Sequence, residues 1–157
     1  MRAVVQRVSG GGVYITKENY SAEIGKGMVI LLGIKIEDTI EDAFFLADKC
    51  CNLRIFSRRD GFPEDENEKM NLSLKDIDGE VLLISQFTLY GDTRRGNRPS
   101  FIEAARPETA VPLYENFITR LKSNIGDTKV KTGIFGAMMS VKIINDGPVT
   151  VIVESKQ

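Results

Sequence analysis

Short apolar runs and two amphipathic segments alternate along the chain, and their periods predict its secondary structure. Residues 4–8 and 13–16 have the composition of short strands, and the three glycines between them, residues 10–12, predict a hairpin turn. Residues 28–34 and 81–84 are apolar on both faces of a strand, which is typical of the centre of a sheet. The pattern therefore predicts a sheet with at least two buried central strands.

Two segments repeat apolar residues at the three- and four-residue spacing of a helix face. The first helix is expected to begin after Asp38 or Thr39, either of which can cap it, and the second after Thr109, with Pro112 in its first turn. The first stripe consists of Ile40, Ala43, Phe44, Ala47 and Cys50 or Cys51, and the second of Ala110, Leu113, Tyr114, Phe117, Ile118 and Leu121.

The order of these elements predicts the fold class. A further strand is expected to start at residues 54–56, and two more at residues 137–144 and 149–154, with a turn at 145–148 between the last two. Strands, helix, strands, helix and strands in this order predict an α+β fold, with a largely antiparallel sheet or partial β-barrel and two covering helices. The length of 157 residues predicts a single domain, residues 1–157.

Composition narrows the class of protein. With 42% hydrophobic and 27% charged residues, the chain resembles ordinary globular proteins rather than disordered ones. No apolar run approaches the roughly 18 residues that a membrane-spanning helix needs. The first seven residues lack the apolar segment and cleavage site of a signal peptide, so we expect a cytoplasmic protein with no membrane partner.

The absence of histidine excludes several kinds of catalytic site. With no histidine in the sequence, a serine–histidine–carboxylate triad, a cysteine–histidine pair and a histidine-ligated metal are all ruled out. The two cysteines, Cys50 and Cys51, are adjacent and cannot supply the roughly four ligands of a zinc site. We therefore expect no metal and no cofactor.

Charge is balanced overall but unevenly distributed. The 21 basic and 22 acidic residues leave a net charge of −1, while Arg94, Arg95 and Arg98 lie within five residues of one another. Such a patch can bind a phosphate backbone on an otherwise neutral protein, or it can be a solvated loop. An acidic run lies elsewhere, at residues 64–68.

Three segments look unlike routine core or surface. Residues 85–89 turn polar at the end of a buried strand, which either forms a site or marks the strand's exit to solvent. Residues 91–101 combine glycines, arginines and hydroxyls in a manner that suits phosphate or ribose contacts. Residues 145–150 contain Gly147 before Pro148, the type of bond at which a cis peptide costs least; an ordinary hairpin turn is the alternative.

Two of these segments together resemble the paired signature motifs of the D-aminoacyl-tRNA deacylases. The motifs are Ser85-Gln86-Phe87-Thr88-Leu89 and Asn145-Asp146-Gly147-Pro148-Val149-Thr150. The sequence also fits the family at residues 2–8, 54–56, 70–72, 98–101 and 133–138, so the resemblance covers essentially the whole chain. One departure is a longer acidic loop, residues 62–68, which is expected to lie away from the site.

The resemblance implies an enzyme of translation quality control. Members of the family hydrolyse the ester between a D-amino acid and the terminal adenosine of tRNA, and they also remove glycine mischarged onto tRNA. The resemblance further implies a homodimer that binds aminoacyl-tRNA, needs no cofactor and binds neither DNA nor membranes.

The resemblance also implies a role for each motif residue. Gly147 and Pro148 would form a cis-proline element that reaches into the partner subunit's pocket and rejects L-amino acids, and Arg7 would brace it from behind. The catalytic segment consists of Ser85, Gln86, Phe87 and Thr88. Backbone N–H groups near the last two would form an oxyanion hole. The remaining roles are lining of the substrate pocket, by Phe135, Ala137 and Met138, and binding of tRNA phosphates, by Arg94, Arg95 and Arg98.

Thr88 is the residue whose role stays open. Its hydroxyl is either a nucleophile or a group that positions the substrate, and no histidine or lysine is placed in the motifs to activate it. The free 2′-hydroxyl of the terminal ribose can instead orient the attacking water.

Two other functions are also open: an editing domain that removes an L-amino acid, and a non-catalytic RNA-binding module that uses the basic loop.

Overall fold

The structure of the protein, a computed structural model, describes residues 1–57 and 69–156. The acidic loop at residues 62–68 lies outside the described residues. The elements are β1 Arg2–Ile15, β2 Tyr20–Ile24, β3 Gly27–Gly33, α1 Ile40–Asn52, β4 Glu80–Ser85, α2 Pro107–Ile125, β5 Val130–Thr132 and β6 Ser140–Glu154, with 3₁₀ helices at Phe87–Tyr90 and Asp127–Lys129. Neither α1 nor α2 is long and apolar enough to cross a lipid bilayer.

Strand β1 organises the sheet. It pairs antiparallel with β6 along one edge, and with β3 and then β2 along the other. The sheet continues through the parallel pairs β3–β4 and β4–β5. The Tyr20 hydroxyl of β2 donates to the Thr132 carbonyl oxygen of β5 (2.8 Å), which draws the two ends of the sheet together. The predicted α+β class, with a barrel-like sheet and two helices, is therefore confirmed.

Alternate residues of the central strands divide between two cores, as the period of a strand requires. Val81 and Leu83 of β4 face the larger core, which α1 and α2 cover. Leu82 and Ile84 face a smaller core inside the curled sheet. Strands β3 and β4 are thus buried on both faces, as predicted from their unbroken apolar runs.

The helix starts show one correct and one incorrect prediction. Thr39 caps α1 through a capping box with Asp42. Helix α2, however, begins at Pro107 and not after Thr109. A proline at the first helical position lacks only an N–H that would have no partner there. Pro112 consequently lies inside the helix. Because proline has no N–H, the helix lacks one hydrogen bond there, to a carbonyl oxygen of its exposed first turn.

The triple glycine is not a hairpin turn. Residues 10–12 lie within β1, which continues to Ile15. A Cβ atom on Gly11 would lie 3.0 Å from Val29 Cγ2 and 3.3 Å from the Lys142 carbonyl oxygen. The glycines therefore allow neighbouring strands to approach closely. The strand predicted at residues 54–56 is reduced to one bridge, between Phe56 and Leu72.

The last two predicted strands form one strand, β6. Both halves pair with β1 in the same direction, so residues 145–148 do not reverse the chain. Gln6 pairs with Thr150 and Val8 pairs with Asn145, which leaves residues 146–149 opposite Arg7 alone. We call these four residues the 146–149 bulge. The sheet thus projects the Gly147-Pro148 pair from the middle of a long strand.

Candidate active site

A cleft of about 350 Å³ opens where β4 ends, between the two cores. Its floor is formed by the end of β4 and the residues that follow it, and its walls come from β3, α2, β6 and the segment before β6. The lining residues are Leu32, Ile34, Ile84, Ser85, Gln86, Phe87, Ala105, Ala110, Phe135, Gly136, Ala137, Met138, Met139 and Val141. The lining is mostly apolar and contains no ionisable side chain, so the cleft suits an uncharged, flat or apolar group.

The floor of the cleft is fixed by backbone bonds. The Gln86 amide donates to the Leu32 carbonyl oxygen (2.7 Å), which continues the β3–β4 pairing beyond the end of the strand. The chain then forms the 3₁₀ helix Phe87–Tyr90, which we call the 87–90 turn. Thr88 is exposed and does not line the cleft, and its hydroxyl oxygen accepts a hydrogen bond from Gln86 Nε2. Thr88 is thus held beside the cleft by a neighbouring motif residue.

Two backbone N–H groups at the start of the 87–90 turn, next to the cleft floor, have no acceptor. Within residues 1–57 and 69–156, the amides of Phe87 and Thr88 donate to no other group, whereas Leu89 donates to the Gln86 carbonyl oxygen. The first N–H groups of a helical turn have no partner inside that turn. These two adjacent donors are free to bind an oxygen that gains negative charge during ester hydrolysis.

An aromatic pair supports the opposite wall. The Phe135 ring packs edge-on against Tyr114 of α2, with 5.6 Å between the ring centroids. The Tyr114 hydroxyl donates to the Leu83 carbonyl oxygen (3.0 Å), and burial raises the pKa of Tyr114. Gly136, at φ +75°, turns the chain so that Ala137 and the largely exposed Met138 complete the rim.

The basic loop follows the cleft floor directly. Backbone bonds between Asp92 and Ser100 (2.8 and 2.9 Å) close a loop that carries the three arginines. Arg94 donates to both carboxylate oxygens of Asp92 (2.9 and 2.8 Å), and this lowers the pKa of Asp92 to about 2. Arg95 and Arg98 are exposed to solvent on the loop that follows the cleft floor, whereas Arg94 is paired with Asp92 of the same loop.

The 146–149 bulge is held by side chains of high hydrogen-bonding capacity. Arg7, only 5% exposed, donates from Nε to the Asp146 carbonyl oxygen (3.1 Å) and from Nη1 to the Ile55 carbonyl oxygen (2.7 Å). Asn145 Nδ2 donates to the carbonyl oxygens of Arg7 (2.9 Å) and Val149 (3.1 Å), which fixes the neck of the bulge. Arg7 thus lies where a brace is expected.

The backbone geometry at position 147 of the bulge accommodates only glycine. Its φ is +122°, and a Cβ atom there would lie 2.8 Å from Arg7 Nη2 and 2.9 Å from Val149 Cγ2. Both the angle and the crowding require glycine. The Gly147-Pro148 peptide bond is cis, as the family resemblance implies.

The structure brings together only part of the predicted site. One cleft contains Ser85, Gln86, Phe87, Phe135, Ala137 and Met138, with Thr88 beside it. Gly147, Pro148 and Arg7 lie together elsewhere and do not line this cleft of the same chain. Lining residues such as Leu32 and Val141 could not be recognised from the sequence, because their apolar side chains resemble those of a core.

No side chain at the cleft is placed to act as a conventional base. Burial raises the pKa of Cys50, and it raises that of Cys51 to about 11, so both thiols stay protonated within the core at neutral pH. In the described part of the chain, no group of three or more acidic or cysteine side chains could hold a metal ion. The arrangement can therefore polarise an ester through backbone N–H groups and shape its surroundings.

Comparisons with known proteins identify the family of this chain and its fold. The family model described as D-Tyr-tRNA(Tyr) deacylase matches residues 4–154. A protein named D-aminoacyl-tRNA deacylase from Flavobacterium psychrophilum is 52% identical over 99% of this chain and 98% of its own length. One of the same name from Clostridium botulinum is 53% identical over 100% of this chain and 99% of its own.

Solved structures show the same architecture. One described as c-Myc DNA Unwinding Element Binding Protein superimposes with a TM-score of 0.88, at 37% identity and full coverage of both chains. Another, described as a probable eukaryotic D-amino acid tRNA deacylase, gives a TM-score of 0.83 over 98% of each chain; at 16% identity it supports the fold alone. The chain belongs to the D-Tyr-tRNA(Tyr) deacylase family, and the resemblance noted in the sequence is confirmed.

Proposed function

We propose that this protein hydrolyses the ester of D-aminoacyl-tRNA and of mischarged glycyl-tRNA, with the Gly147-Pro148 element as the filter against L-amino acids. By its family, the protein is a D-aminoacyl-tRNA deacylase, a hydrolase of aminoacyl-tRNA. The observation that carries the finer proposal is the cleft floor, where the motif residues Ser85, Gln86 and Phe87 meet two unpartnered backbone N–H groups.

The chemical step follows from those donors. Attack of water on the ester carbonyl carbon produces a tetrahedral oxyanion, and the amides of Phe87 and Thr88 stabilise it. A donor of this kind contributes about 2.7–4 kcal/mol to the transition state. The C–O bond to the ribose then breaks, and the 3′-oxygen takes the proton that the attacking water has lost. Because the cleft offers no ionisable side chain, the neighbouring 2′-hydroxyl of the ribose orients the water.

The filter acts between subunits of a homodimer. The 146–149 bulge does not line the cleft of its own chain, so a filter made by the bulge must serve a second copy. Within the described residues, β6 pairs with β1 only, which leaves its other edge available. Ile144 and Ile152, on either side of the bulge, are 47% and 66% exposed. Such apolar side chains favour contact with a partner, and two-fold pairing is the commonest closed symmetry.

A filter built from main chain suits a broad substrate range. The carbonyl groups of the bulge recognise the configuration of the α-carbon and do not contact the amino acid side chain. Glycine, which lacks a side chain, passes the same filter. Exposed Arg95 and Arg98 bind tRNA phosphates beside the cleft, and we place the enzyme in the cytoplasm, where its RNA substrate is made.

A deacylation assay tests the proposal. The protein is added in catalytic amount to D-tyrosyl-, L-tyrosyl- and glycyl-tRNA, and free amino acid is measured over time. We expect repeated turnover of the D- and glycyl-substrates and stable L-tyrosyl-tRNA. Preferential hydrolysis of the L-substrate would identify an L-editing domain, and binding without turnover would identify an RNA-binding module. Sedimentation that shows an active monomer would overturn the cross-subunit filter.

A further inference from the structure

We propose that Arg2 is a positioning residue for the reaction, because its guanidinium ties the 87–90 turn to the first and last strands of the sheet. This inference rests on the proposed function, since it assigns Arg2 the task of fixing the turn that carries the amides of Phe87 and Thr88. Arg2 lies outside both signature motifs and does not line the cleft.

Three contacts converge on this one side chain. Arg2 Nη1 donates to the Leu89 carbonyl oxygen (2.8 Å), inside the 87–90 turn. Its Nε donates to Glu154 Oε1 at the end of β6 (2.6 Å). The guanidinium carbon lies 5.2 Å from the centre of the Tyr90 ring, the distance of a cation–π contact. The turn is thus joined through Arg2 to β1 and β6.

The same turn also packs tightly against the end of β3, where Gly33 pairs with Arg2. A Cβ atom on Gly33, the last residue of β3, would lie 3.0 Å from Leu89 Cβ and 3.2 Å from both the Gln86 carbonyl oxygen and Tyr90 Cδ2. Glycine at this position lets the turn lie directly against the strand end. Arg2 and Gly33 therefore hold the turn against the sheet from two separate strands.

The turn needs such contacts because it is short. It has four residues, and a 3₁₀ helix of this length has poor hydrogen-bond geometry and little stability of its own. Its orientation is decided by what it packs against. The two free amides begin this turn, so a rotation of the turn moves both donors relative to the ester. A misplacement of about 1 Å can reduce a rate by roughly 100-fold.

The geometry requires arginine and not only a positive charge. The planar guanidinium donates in two directions and presents a flat face to the ring at the same time. A lysine ammonium can stay near Glu154, but it cannot also reach the Leu89 carbonyl oxygen while stacking on Tyr90. Arg2→Lys is therefore expected to restore only part of what Arg2→Met removes.

The test compares Arg2→Met with a matched control elsewhere. Arg120 also donates to a carboxylate, that of Asp48 (2.7 Å from both Nε and Nη2), and lies 5.6 Å from the Phe44 ring centre. Arg120→Met therefore removes the same kinds of contact far from the cleft. We expect Arg2→Met to lower kcat on D-tyrosyl-tRNA about tenfold or more with little change in KM, as expected for misplaced donors. The kcat of Arg2→Lys should lie between those of Arg2→Met and the wild type, and Arg120→Met should keep the wild-type kcat.

Amide hydrogen exchange of the full-length protein supplies a readout independent of activity. In Arg2→Met, the Leu89 and Gly91 amides, which bond within the turn, should exchange faster while core amides do not change. A wild-type protein without deacylase activity would refute the proposed function. An active wild type with unchanged kcat or unchanged turn exchange in Arg2→Met, or an equal kcat loss in Arg120→Met, would refute the role of Arg2.

Discussion

Different kinds of interaction form the cleft and the 146–149 bulge. The cleft is bounded mostly by apolar side chains such as Leu32, Phe135 and Val141, which give it shape but few directed bonds. The bulge is fixed by directed bonds, two from Arg7 and two from Asn145, each to a backbone carbonyl oxygen. A region that accepts a common group of many substrates can rely on shape. A region that must hold main-chain atoms in one place needs hydrogen bonds.

This difference separates two kinds of defect. Changes at the cleft should alter binding or the chemical step while the preference for D-amino acids persists. Changes at the bulge should alter that preference. The variants below distinguish these outcomes.

The largest effect is expected from a change in the substrate and not in the protein. A tRNA that ends in 2′-deoxyadenosine and is charged at the 3′-position should react roughly 1,000-fold more slowly or worse, since it lacks the group that orients the water. Thr88→Ala should keep activity within about tenfold, because the Thr88 hydroxyl only accepts a bond from Gln86. Single-turnover rates check both. Normal turnover of the deoxy substrate together with an inactive Thr88→Ala enzyme would make Thr88 the nucleophile.

Gly147→Ala should disrupt the bulge. The new methyl group would lie 2.8 Å from Arg7 Nη2 at a φ of +122°, so the bulge must move. We expect kcat/KM for D-tyrosyl-tRNA to fall about 100-fold, with weaker discrimination against the L-substrate.

Gly126→Ala provides the matched control for this variant. Gly126 also has a positive φ, +98°, but a Cβ atom there meets nothing within 4 Å. It should lose about 1–2 kcal/mol of stability and keep wild-type selectivity. If both variants lose the same activity, the defect of Gly147→Ala comes from general backbone strain and not from the bulge.

Arg7→Met should weaken both stability and selectivity. Removal of the guanidinium leaves the Asp146 and Ile55 carbonyl oxygens without this donor, at a cost of about 2–3 kcal/mol. Urea unfolding measures this loss. The ratio of D- to L-tyrosyl-tRNA hydrolysis should fall roughly tenfold, because the bulge is less rigidly held. A destabilised enzyme with an unchanged ratio would show that Arg7 supports the fold alone.

Arg95→Ala should give the smallest effect, limited to binding. We expect KM to rise several-fold with kcat nearly unchanged, and the slope of log K against log salt to flatten by about 0.7–0.9. Arg94→Ala should change the slope less, because Arg94 is already bound to Asp92. Equal slopes for wild type and both variants would place the tRNA backbone elsewhere.

Local features of the fold could be predicted from the sequence. The Thr39 cap and the strands around residues 28–34 and 81–84 follow from patterns within a few residues. The prediction failed at residues 10–12 because glycines serve both turns and close strand contacts. It failed at β6 because only pairing with the distant β1 shows that residues 145–148 interrupt a strand and do not reverse it.

Composition alone indicates only the polar part of the candidate site, whereas the family resemblance adds the lining residues Phe135, Ala137 and Met138. Ser85 and Gln86 interrupt an apolar pattern, which marks them as candidate site residues. Ala105 and Val141 line the same cleft, but small and apolar residues look alike whether they face a core or a cavity. Arg2 gave no signal, since its partners Leu89 and Glu154 are 87 and 152 positions away in the chain.

Complementation between two strongly impaired variants tests most directly whether the bulge of one subunit completes the cleft of the other. Ala137→Phe fills the cleft and leaves the bulge intact. Gly147→Ala disrupts the bulge and leaves the cleft intact. Each homodimer is first shown to be folded and to keep no more than about 1% of wild-type activity on D-tyrosyl-tRNA, which corresponds to the 100-fold loss. Co-expressed in equal amounts, the two chains should recover about a quarter of wild-type activity, since half of the two-fold dimers are mixed and each has one intact site. Activity that stays at the level of the separate variants would contradict a filter shared between subunits.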